Sequence, residues 1–323
     1  MKLCFNPLLL ATLVCLGQSP AMAQTDSGKP LRIVVPFAAG GAQDVIARYL
    51  GNKLSAKTGA PVIVDNKAGA GGIVAADFVA KANDGATVLM ATGGAITVAP
   101  QLQAKLPYDP RRDLVPVALI ADTPMTVAVR SDSPYKTLPE LLRAAKAKPG
   151  ELTYASTGNA TVSHLAGALL GQATGVSLLH VPYRGAAPAL TDLMAGQVTM
   201  IITSAASIDP MAQSGKARVL GTFSKAHLPS LGNPPTVSEA TKLAGLEVPI
   251  WVGVMAPSRM PAEQQKKLSA ALVEVCQLPE TKEHFAQLGA VSACGGSAEM
   301  EKVLAEDSER WAKVVRLGGV KID

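Results

Sequence analysis

The residues of this chain that could do chemistry are glycines, small residues and hydroxyls placed directly after apolar, strand-like runs. The first such loop follows the run 31–36 and consists of Phe37, Ala38, Ala39, Gly40 and Gly41. A helical pattern begins at once after it, so unpaired backbone N–H groups and the helix dipole favour an anion here. Because glycine has no Cβ, a ligand can approach the backbone closely. The loop therefore predicts a site for a carboxylate or phosphate.

Two further loops of the same kind follow the next strand-like runs. One contains Ala70, Gly71 and Gly72, and the other is Thr92-Gly93-Gly94. Any one of them would be explained by a tight turn. Three of them in one half of the chain would meet at the carboxyl edge of a parallel sheet, where open α/β folds bind ligands. The spacing therefore favours a ligand cleft.

A second group of small and hydroxyl residues lies in the middle of the chain. It consists of Ser156, Thr157, Gly158 and Asn159, then Pro182 and Tyr183, then Thr203 and Ser204. Each set alone is more often structural, with Thr161 acting as an ordinary helix N-cap. Together they offer hydroxyl and backbone N–H groups that would contact the other end of the anion.

Other chemistry is poorly supported by the sequence. The loop at 69–74 lacks the third glycine of G-x-G-x-x-G, no loop contains G-K-[ST], and neither G-x-S-x-G nor H-E-x-x-H is present. The four histidines have no neighbour in sequence that suggests an acid–base relay. We therefore expect no catalytic residue, no metal and no cofactor. The net charge is +5, but the basic residues are scattered and aromatic residues make up 4 %, so we expect no nucleic acid partner.

Two cysteines, Cys276 and Cys294, lie far from the N-terminus. Cys276 ends a helical pattern with an apolar face, which is typical of a buried free thiol. An oxidising compartment would equally allow the two to form a disulfide, and both interpretations stay open.

The N-terminus has the pattern of a signal peptide. Lys2 is the only charge before residue 26, an apolar stretch covers 8–14, and 21–23 reads A-x-A. We expect residues 1–23 to be removed near Ala23 and the protein to be exported to the periplasm. No later segment reaches about 18 uninterrupted apolar residues, so we expect no membrane insertion.

Strand-like and helix-like segments alternate along the rest of the chain, which indicates an α/β fold with largely parallel sheets. The predicted strands are 31–36, 61–64, 86–91, 115–120, 125–130, 152–155, 177–181, 198–202, 217–223 and 250–255. The predicted helices are 44–57, 72–82, 138–147, 161–173, 187–195, 262–277 and 298–316.

Two segments, 122–129 and 248–255, are candidates for crossings between two lobes. If both are hinge strands, the first lobe consists of 24–124 and 250–323 and the second of 125–249. The ligand cleft would then lie between the lobes. We expect the protein to be a monomer.

Several motifs resemble the extracytoplasmic substrate-binding proteins of tripartite tricarboxylate transporters, the Bug family. The segment 35–48 is similar to its V-P-F-x-x-G-G-x-x-D-x-x-A-R opening, and 66–72 to its N-x-x-G-A-G-G turn. The strongest motif is His180-Val181-Pro182-Tyr183-x-Gly185 with 188–193 and 196–198. The resemblance covers nearly the whole chain after the signal peptide.

The resemblance implies a type II periplasmic binding-protein fold, in which two α/β lobes joined by hinge strands close on a small anion. Family members bind di- and tricarboxylates, acidic amino acids or aromatic acids. The resemblance implies that the loops around Phe37–Gly41 and Ala70–Gly72 hold one carboxylate and that the second-lobe loops set specificity. Ile202-Thr203 stands where the family often has an acidic residue, which disfavours a ligand with an amino group.

The expected mechanism is therefore binding of a carboxylate and its delivery to the membrane permease subunits of a tripartite transporter. A sensor that presents the ligand to a histidine kinase would have the same cleft. A periplasmic hydrolase that uses Ser156 or Ser163 is a third, more remote alternative.

Overall fold

The computed structural model describes residues 29–103, 105–248 and 250–318, so the predicted signal peptide lies outside the described residues. The strands are β1 (Leu31–Val35), β2 (Val62–Asn66), β3 (Thr87–Ala91), β4 (Leu114–Asp122), β5 (Met125–Arg130), β6 (Thr153–Ser156), β7 (Leu179–Pro182), β8 (Met200–Ser204), β9 (Ala217–Thr222), β10 (Trp251–Pro257) and β11 (Val291–Gly295).

The α-helices are α1 (Ala42–Thr58), α2 (Ile73–Ala80), α3 (Ala99–Leu102), α4 (Leu138–Ala147), α5 (Val162–Thr174), α6 (Ala186–Met194), α7 (Ala205–Gln213), α8 (Val237–Thr241), α9 (Ala262–Gln277), α10 (Pro279–Gln287) and α11 (Ser297–Gly318). Short 3₁₀ turns cover Ala70–Gly72 and Pro229–Leu231, and a π-helical turn covers Gly94–Val98.

The strands form two sheets, as expected for a two-lobed α/β protein. The six-stranded first sheet has the order β11-β4-β10-β3-β1-β2, and the five-stranded second sheet has the order β7-β6-β8-β5-β9. The expectation of largely parallel sheets is wrong, because both sheets are mixed. β10 runs antiparallel to β3 and β4, and β5 runs antiparallel to β8 and β9. β5 and β10 each enter their sheet from the other sheet and therefore run away from that other sheet. The strands they pair with point their carboxyl ends towards the other sheet, so the pairing is antiparallel.

Side-chain caps and a glycine mark several helix ends. Thr137 caps α4 in a capping box with Glu140, and the Thr161 side chain accepts the His164 N–H at the start of α5. Gly59 ends α1 with a φ of 70°, a left-handed conformation that glycine adopts without strain.

The structure also contains elements that the sequence did not predict. β11 is half-exposed at the edge of the first sheet, where apolar alternation is weak. α7 carries Pro210 inside it, which obscures the helical pattern, and α10 follows α9 after a single residue.

The two crossings between the sheets lie side by side. β4 passes into β5 through Thr123 and Pro124, and the chain returns into β10 at Ile250. Thr123 N–H donates to Ile250 O (2.8 Å), and Ile250 N–H donates to the Asp122 carboxylate (3.1 Å). A pair of short, hydrogen-bonded crossings is the arrangement that permits hinge motion between two units.

Each sheet is covered by helices on both faces, but the last helix crosses between the halves. α11 packs on β4, yet its Trp311, 1 % exposed, lies in the core that surrounds Val127 and Leu165 of the second half. The predicted lobe 1 therefore shares part of the second core through α11.

Cys276 at the end of α9 and Cys294 in β11 form a disulfide with their Cα atoms 5.3 Å apart. Of the two interpretations left open by the sequence, the structure has the paired one. The bridge holds edge strand β11 against the helix layer. In the described ranges no helix is long and apolar enough to cross a membrane.

Candidate functional site

A small chamber of about 180 Å³ lies where loops at the carboxyl ends of strands from both sheets meet. Its walls are Pro36, Phe37, Gly69, Ala70, Gly71 and Gly72 from the first half, and Thr157, Gly158, Asn159, Pro182, Tyr183 and Arg184 from the second. Among these described wall residues none is acidic, and Arg184 is the only charged one. The chamber is well below the roughly 300–1,000 Å³ of sites for drug-sized ligands, so it suits a short molecule.

The first-half wall is a glycine-rich turn whose backbone conformation and close contacts require residues with little or no side chain. Ala70, Gly71 and Gly72 have φ angles of 46°, 64° and 99°. A Cβ at Gly71 would lie 2.3 Å from the Asn159 carbonyl oxygen of the opposite loop. The two halves are therefore in direct contact at this point, and glycine is required for that approach.

A buried carboxylate fixes the two first-half loops to each other. Asp44 accepts Gly40 N–H (2.9 Å), Arg48 Nε–H (3.0 Å) and Asn66 Nδ2–H (3.0 Å), and Asn66 also donates to Phe37 O (3.0 Å). Burial raises the pKa of Asp44, but the hydrogen bonds from Arg48, Gly40 and Asn66 outweigh it and leave the pKa below its usual value. The ionised carboxylate thus holds Phe37 in the wall.

The second-half loop at 156–161 is held in place by hydrogen bonds to hydroxyl groups of the same segment and of Ser163. Thr157 N–H donates to Ser163 Oγ (2.9 Å), Gly158 N–H donates to Ser156 Oγ (3.1 Å), and Thr161 Oγ1 donates to Gly158 O (2.7 Å). Because Ser156 and Ser163 are fully buried, they shape the loop without reaching the chamber. Thr157, Gly158 and Asn159 are the residues of this loop that line the wall.

Two stacked histidines support this loop. The rings of His164 and His180 lie 3.9 Å apart, His180 Nε2 contacts Ser156 Oγ at 2.6 Å, and Ala160 N–H donates to His164 Nδ1 (3.3 Å). Burial, together with the nearby His164, lowers the pKa of His180 to about 3, and burial also lowers the pKa of His164. Both rings are therefore uncharged at neutral pH.

Tyr183 and Arg184 close the second-half wall. Tyr183 donates its hydroxyl to Asp192 (2.7 Å) and its N–H to Ser156 O (3.1 Å). Burial and the Asp192 carboxylate raise the pKa of Tyr183 to about 12. Arg184 O accepts the Ala38 N–H of the first half at 3.1 Å, so this segment also joins the two halves.

The predicted anion loop is divided by the structure. Phe37 lines the chamber, whereas Ala38, Ala39, Gly40 and Gly41 lie outside its wall. Ala38 N–H is bound by Arg184 O and Gly40 N–H by Asp44, while Ala42 N–H donates to Ser207 Oγ (3.3 Å) of α7. The N–H groups of Ala38, Gly40 and Ala42 therefore serve contacts within the protein, and the segment joins the two halves.

Four other predicted residues lie behind the wall. Thr92 is 8 % exposed after β3, and Ser156 supports the loop described above. Thr203 is fully buried in β8, and Ser204 Oγ lies 3.0 Å from Ser207 Oγ. The structure thus brings Phe37, Ala70, Gly71, Gly72, Thr157, Gly158, Asn159, Pro182 and Tyr183 together in one wall.

Sequence reasoning missed Pro36, Gly69 and Arg184 in the wall and Ser207 in the contact between the halves. Pro36 and Gly69 each adjoin a predicted residue. Arg184 directly follows Tyr183, and a basic residue in a loop expected to meet a carboxylate was a usable signal. Ser207 has no such signal, because only folding brings α7 to the start of α1.

A larger crevice of about 930 Å³ lies behind the hinge, between α5 and α11. Its walls include Asp122, Pro124, Val248 and Arg310, and none of the predicted site residues. Volume alone would favour it, but its walls include no residue from the loops that follow β1, β2, β6 and β7, the parallel-paired strands whose loops form the smaller chamber. The smaller chamber is therefore the better candidate site.

Comparison with known proteins places this geometry among solute receptors. Residues 46–320 match the family model described as tripartite tricarboxylate transporter family receptor. The chain is 41 % identical over 288 residues to a UPF0065 protein in the tcbD–tcbE intergenic region of Pseudomonas sp. strain P51, which covers 89 % of this chain and 85 % of that protein. It is 33 % identical over 309 residues to protein BugT of Bordetella pertussis strain Tohama I, covering 94 % of each.

Solved structures agree with these relatives. The periplasmic binding protein BugD is 34 % identical with a TM-score of 0.86, covering 90 % of this chain and 98 % of that one. Rpa4515 of R. palustris, solved with adipate, is 31 % identical with a TM-score of 0.86 over 90 % and 98 %. MatC of Rhodopseudomonas palustris, solved with bound malate, is 31 % identical with a TM-score of 0.84 over 88 % and 98 %.

Proposed function

Because this chain belongs to the tripartite tricarboxylate transporter receptor family, we propose that it captures a small organic carboxylate in the periplasm and delivers it to a tripartite membrane transporter. The observation that carries the proposal is the chamber between the two sheets. Its walls come from both halves, it holds about 180 Å³, and its described wall residues include one arginine and no acid. Such a site favours a short anion and disfavours an amine.

The bound acids of two structural relatives support the class of ligand. Rpa4515 was solved with adipate and MatC with malate, and both are dicarboxylates. The first-half turn around Gly71 would face one carboxylate with backbone groups, while the second-half loops would contact the rest of the molecule. Phe37, Gly71, Asn159 and Tyr183 are the residues we expect a bound acid to touch.

The contacts between the halves support a closure mechanism. Ala38 N–H to Arg184 O and Ala42 N–H to Ser207 Oγ both join the first half to the second. Rotation about the crossings at 123–124 and 250 would separate these pairs and open the chamber. A ligand that bridges both walls binds the closed form better and shifts the balance towards it. The closed form is then the state that a transporter would recognise.

Thermal-shift and calorimetric titration with acetate, malonate, succinate, malate, adipate, citrate and nicotinate test the proposal. An acid at 100 times its dissociation constant should add about 2.7 kcal/mol to the free energy of unfolding. We expect at least one acid to raise the melting temperature and aspartate to do so less than malate. If no acid in the set binds at millimolar concentration, the proposed function fails.

Export and delivery need separate measurements. N-terminal sequencing of protein recovered from the periplasm should begin after Ala23. Deletion of the gene that encodes this protein should abolish cellular uptake of the radiolabelled acid that binds best, and the full-length gene should restore that uptake. Normal uptake in the deletion strain would leave binding intact but contradict the transport role.

A further inference from the structure

Arg184 is the single charged residue among the described residues of the chamber wall, and its backbone is held in place by both halves of the protein. The Tyr183 N–H donates to Ser156 O (3.1 Å), and Arg184 O accepts Ala38 N–H (3.1 Å) from the opposite half. Gly185, next to it, has a φ of 134° and allows the close approach to Phe37 and Ala38. The Arg184 backbone is thus fixed against the first half when the halves are in contact.

The Arg184 guanidinium has no anionic partner in the part of the chain that the structure describes. Arg184 makes no ion pair within residues 29–318 as described, whereas Arg48 and Arg130, for example, pair with Asp44 and Asp132. Asp192 is the only acid of the following helix, and it accepts the Tyr183 hydroxyl (2.7 Å). The exposed Arg184 side chain is therefore available to an anion that enters the chamber.

The geometry of a guanidinium group suits a carboxylate or a phosphate. Its planar N–H groups match the two carboxylate oxygens and form paired, charge-assisted hydrogen bonds. The described residues of the first-half wall carry no charge, and around Ala70, Gly71 and Gly72 this wall is mostly backbone. The two walls are thus chemically unequal, with a neutral turn on one side and one cation on the other.

We propose that Arg184 pairs with a second carboxylate of the ligand and makes the protein select dicarboxylates over monocarboxylates of the same length. This inference rests on the proposed function of the chamber. Because Arg184 O is bound to Ala38 only when the halves meet, the ion pair forms on closure. A second carboxylate therefore stabilises the closed form, which a monocarboxylate does less well.

The test compares matched acids in the wild type and in Arg184→Gln. The probes are malonate, succinate and adipate, each paired with propionate, butyrate or hexanoate of equal carbon number, measured by calorimetry. We expect Arg184→Gln to weaken the dicarboxylates roughly ten- to hundredfold and the monocarboxylates less than about twofold. Arg184→Lys, which keeps the charge but loses the planar fork, should lie between the two.

Arg143→Gln is the matched control, because Arg143 is exposed on α4 of the same half and lies outside the chamber wall. It removes the same charge and should leave every affinity unchanged. Equal losses in Arg143→Gln and Arg184→Gln, or undiminished preference for dicarboxylates in Arg184→Gln, would overturn the inference while leaving carboxylate binding intact. Failure of the wild type to bind any of these six acids or any acid of the titration described under the proposed function would instead defeat the proposed function.

Discussion

Replacing Gly71 by alanine should disfavour closure of the two halves while leaving each half folded. The new Cβ would lie 2.3 Å from the Asn159 carbonyl oxygen, about 1 Å inside ordinary van der Waals contact. That clash exists only when the loops meet, because Gly71 follows β2 of the first sheet and Asn159 follows β6 of the second. The open form can accept the methyl group, so the clash acts on closure.

The magnitude follows from the cost of overpacking. Extra methyl groups in a close-packed contact typically cost about 1–3 kcal/mol. At about 1.4 kcal/mol for each tenfold change, ligand affinity should fall roughly 5- to 150-fold. Gly71 has a φ of 64°, so alanine there also adds about 1–2 kcal/mol of backbone strain that is independent of closure.

Gly59→Ala is the matched control for that strain. Gly59 has a φ of 70° and nothing within 4 Å of its Cβ position, so the variant keeps the strain and lacks the clash. Both variants should melt a few degrees below the wild type. In calorimetry with the tightest-binding acid, only Gly71→Ala should lose affinity, and its radius of gyration in X-ray scattering should contract only at a correspondingly higher acid concentration. Equal affinities for the two variants would refute the closed contact.

Three further outcomes follow from named contacts. Asp44→Asn should lose roughly 2 kcal/mol of unfolding free energy in urea at pH 7, because Gly40, Arg48 and Asn66 donate to the charged carboxylate. Since the pKa of Asp44 is lower in the folded protein, this stabilisation is fully present above about pH 3.8, the ordinary pKa of an aspartate, and is lost as the pH falls through the pKa of the folded state. A difference between wild type and mutant that persists unchanged at pH 2 would contradict this assignment. Reduction of the Cys276–Cys294 bridge, which spans 18 residues, should lower the free energy of unfolding in guanidinium by about 3 kcal/mol. The same reducing agent should have no effect on a Cys276→Ala/Cys294→Ala protein. Two free thiols in the oxidised protein would disprove the bridge. The pKa of buried His180 is lowered to about 3, so below about pH 6.5 the unfolded chain binds a proton that the folded chain does not bind. The free energy of unfolding in urea should therefore fall from pH 7 to pH 5, and it should fall less steeply in His180→Asn. Identical slopes in the two proteins would show that His180 is not the source.

The fold could be predicted where the local signal is strong. Helix α4 lies at 138–147 and helix α9 at 262–277, as predicted, because caps or amphipathic spacing mark their ends. β11 and α7 escaped prediction for opposite local reasons. One is a weak edge strand, and the other has Pro210 within it.

The sequence predicted many of the residues that line the candidate site, but it did not predict how those residues are arranged around the chamber. Glycine and hydroxyl loops after strands identified nine wall residues, including Gly71 and Tyr183. The roles within those loops could not be predicted, since Ser156 and Thr203 belong to the right segments but face inwards. Which side of a strand end faces the chamber depends on how the second sheet packs, and no local pattern encodes that.

The sequence by itself determined the class of the protein, because the α/β alternation and the family motifs are local properties of neighbouring residues. Only the tertiary structure decided which groups share the chamber. Long-range contacts such as Gly71 with Asn159 and Ala38 with Arg184 arise when two separately formed sheets are brought together at the hinge. For that reason the structure brings Ala38 of the predicted anion loop into contact with Arg184 of the opposite half, and it places Phe37 and Arg184 in the wall of the chamber.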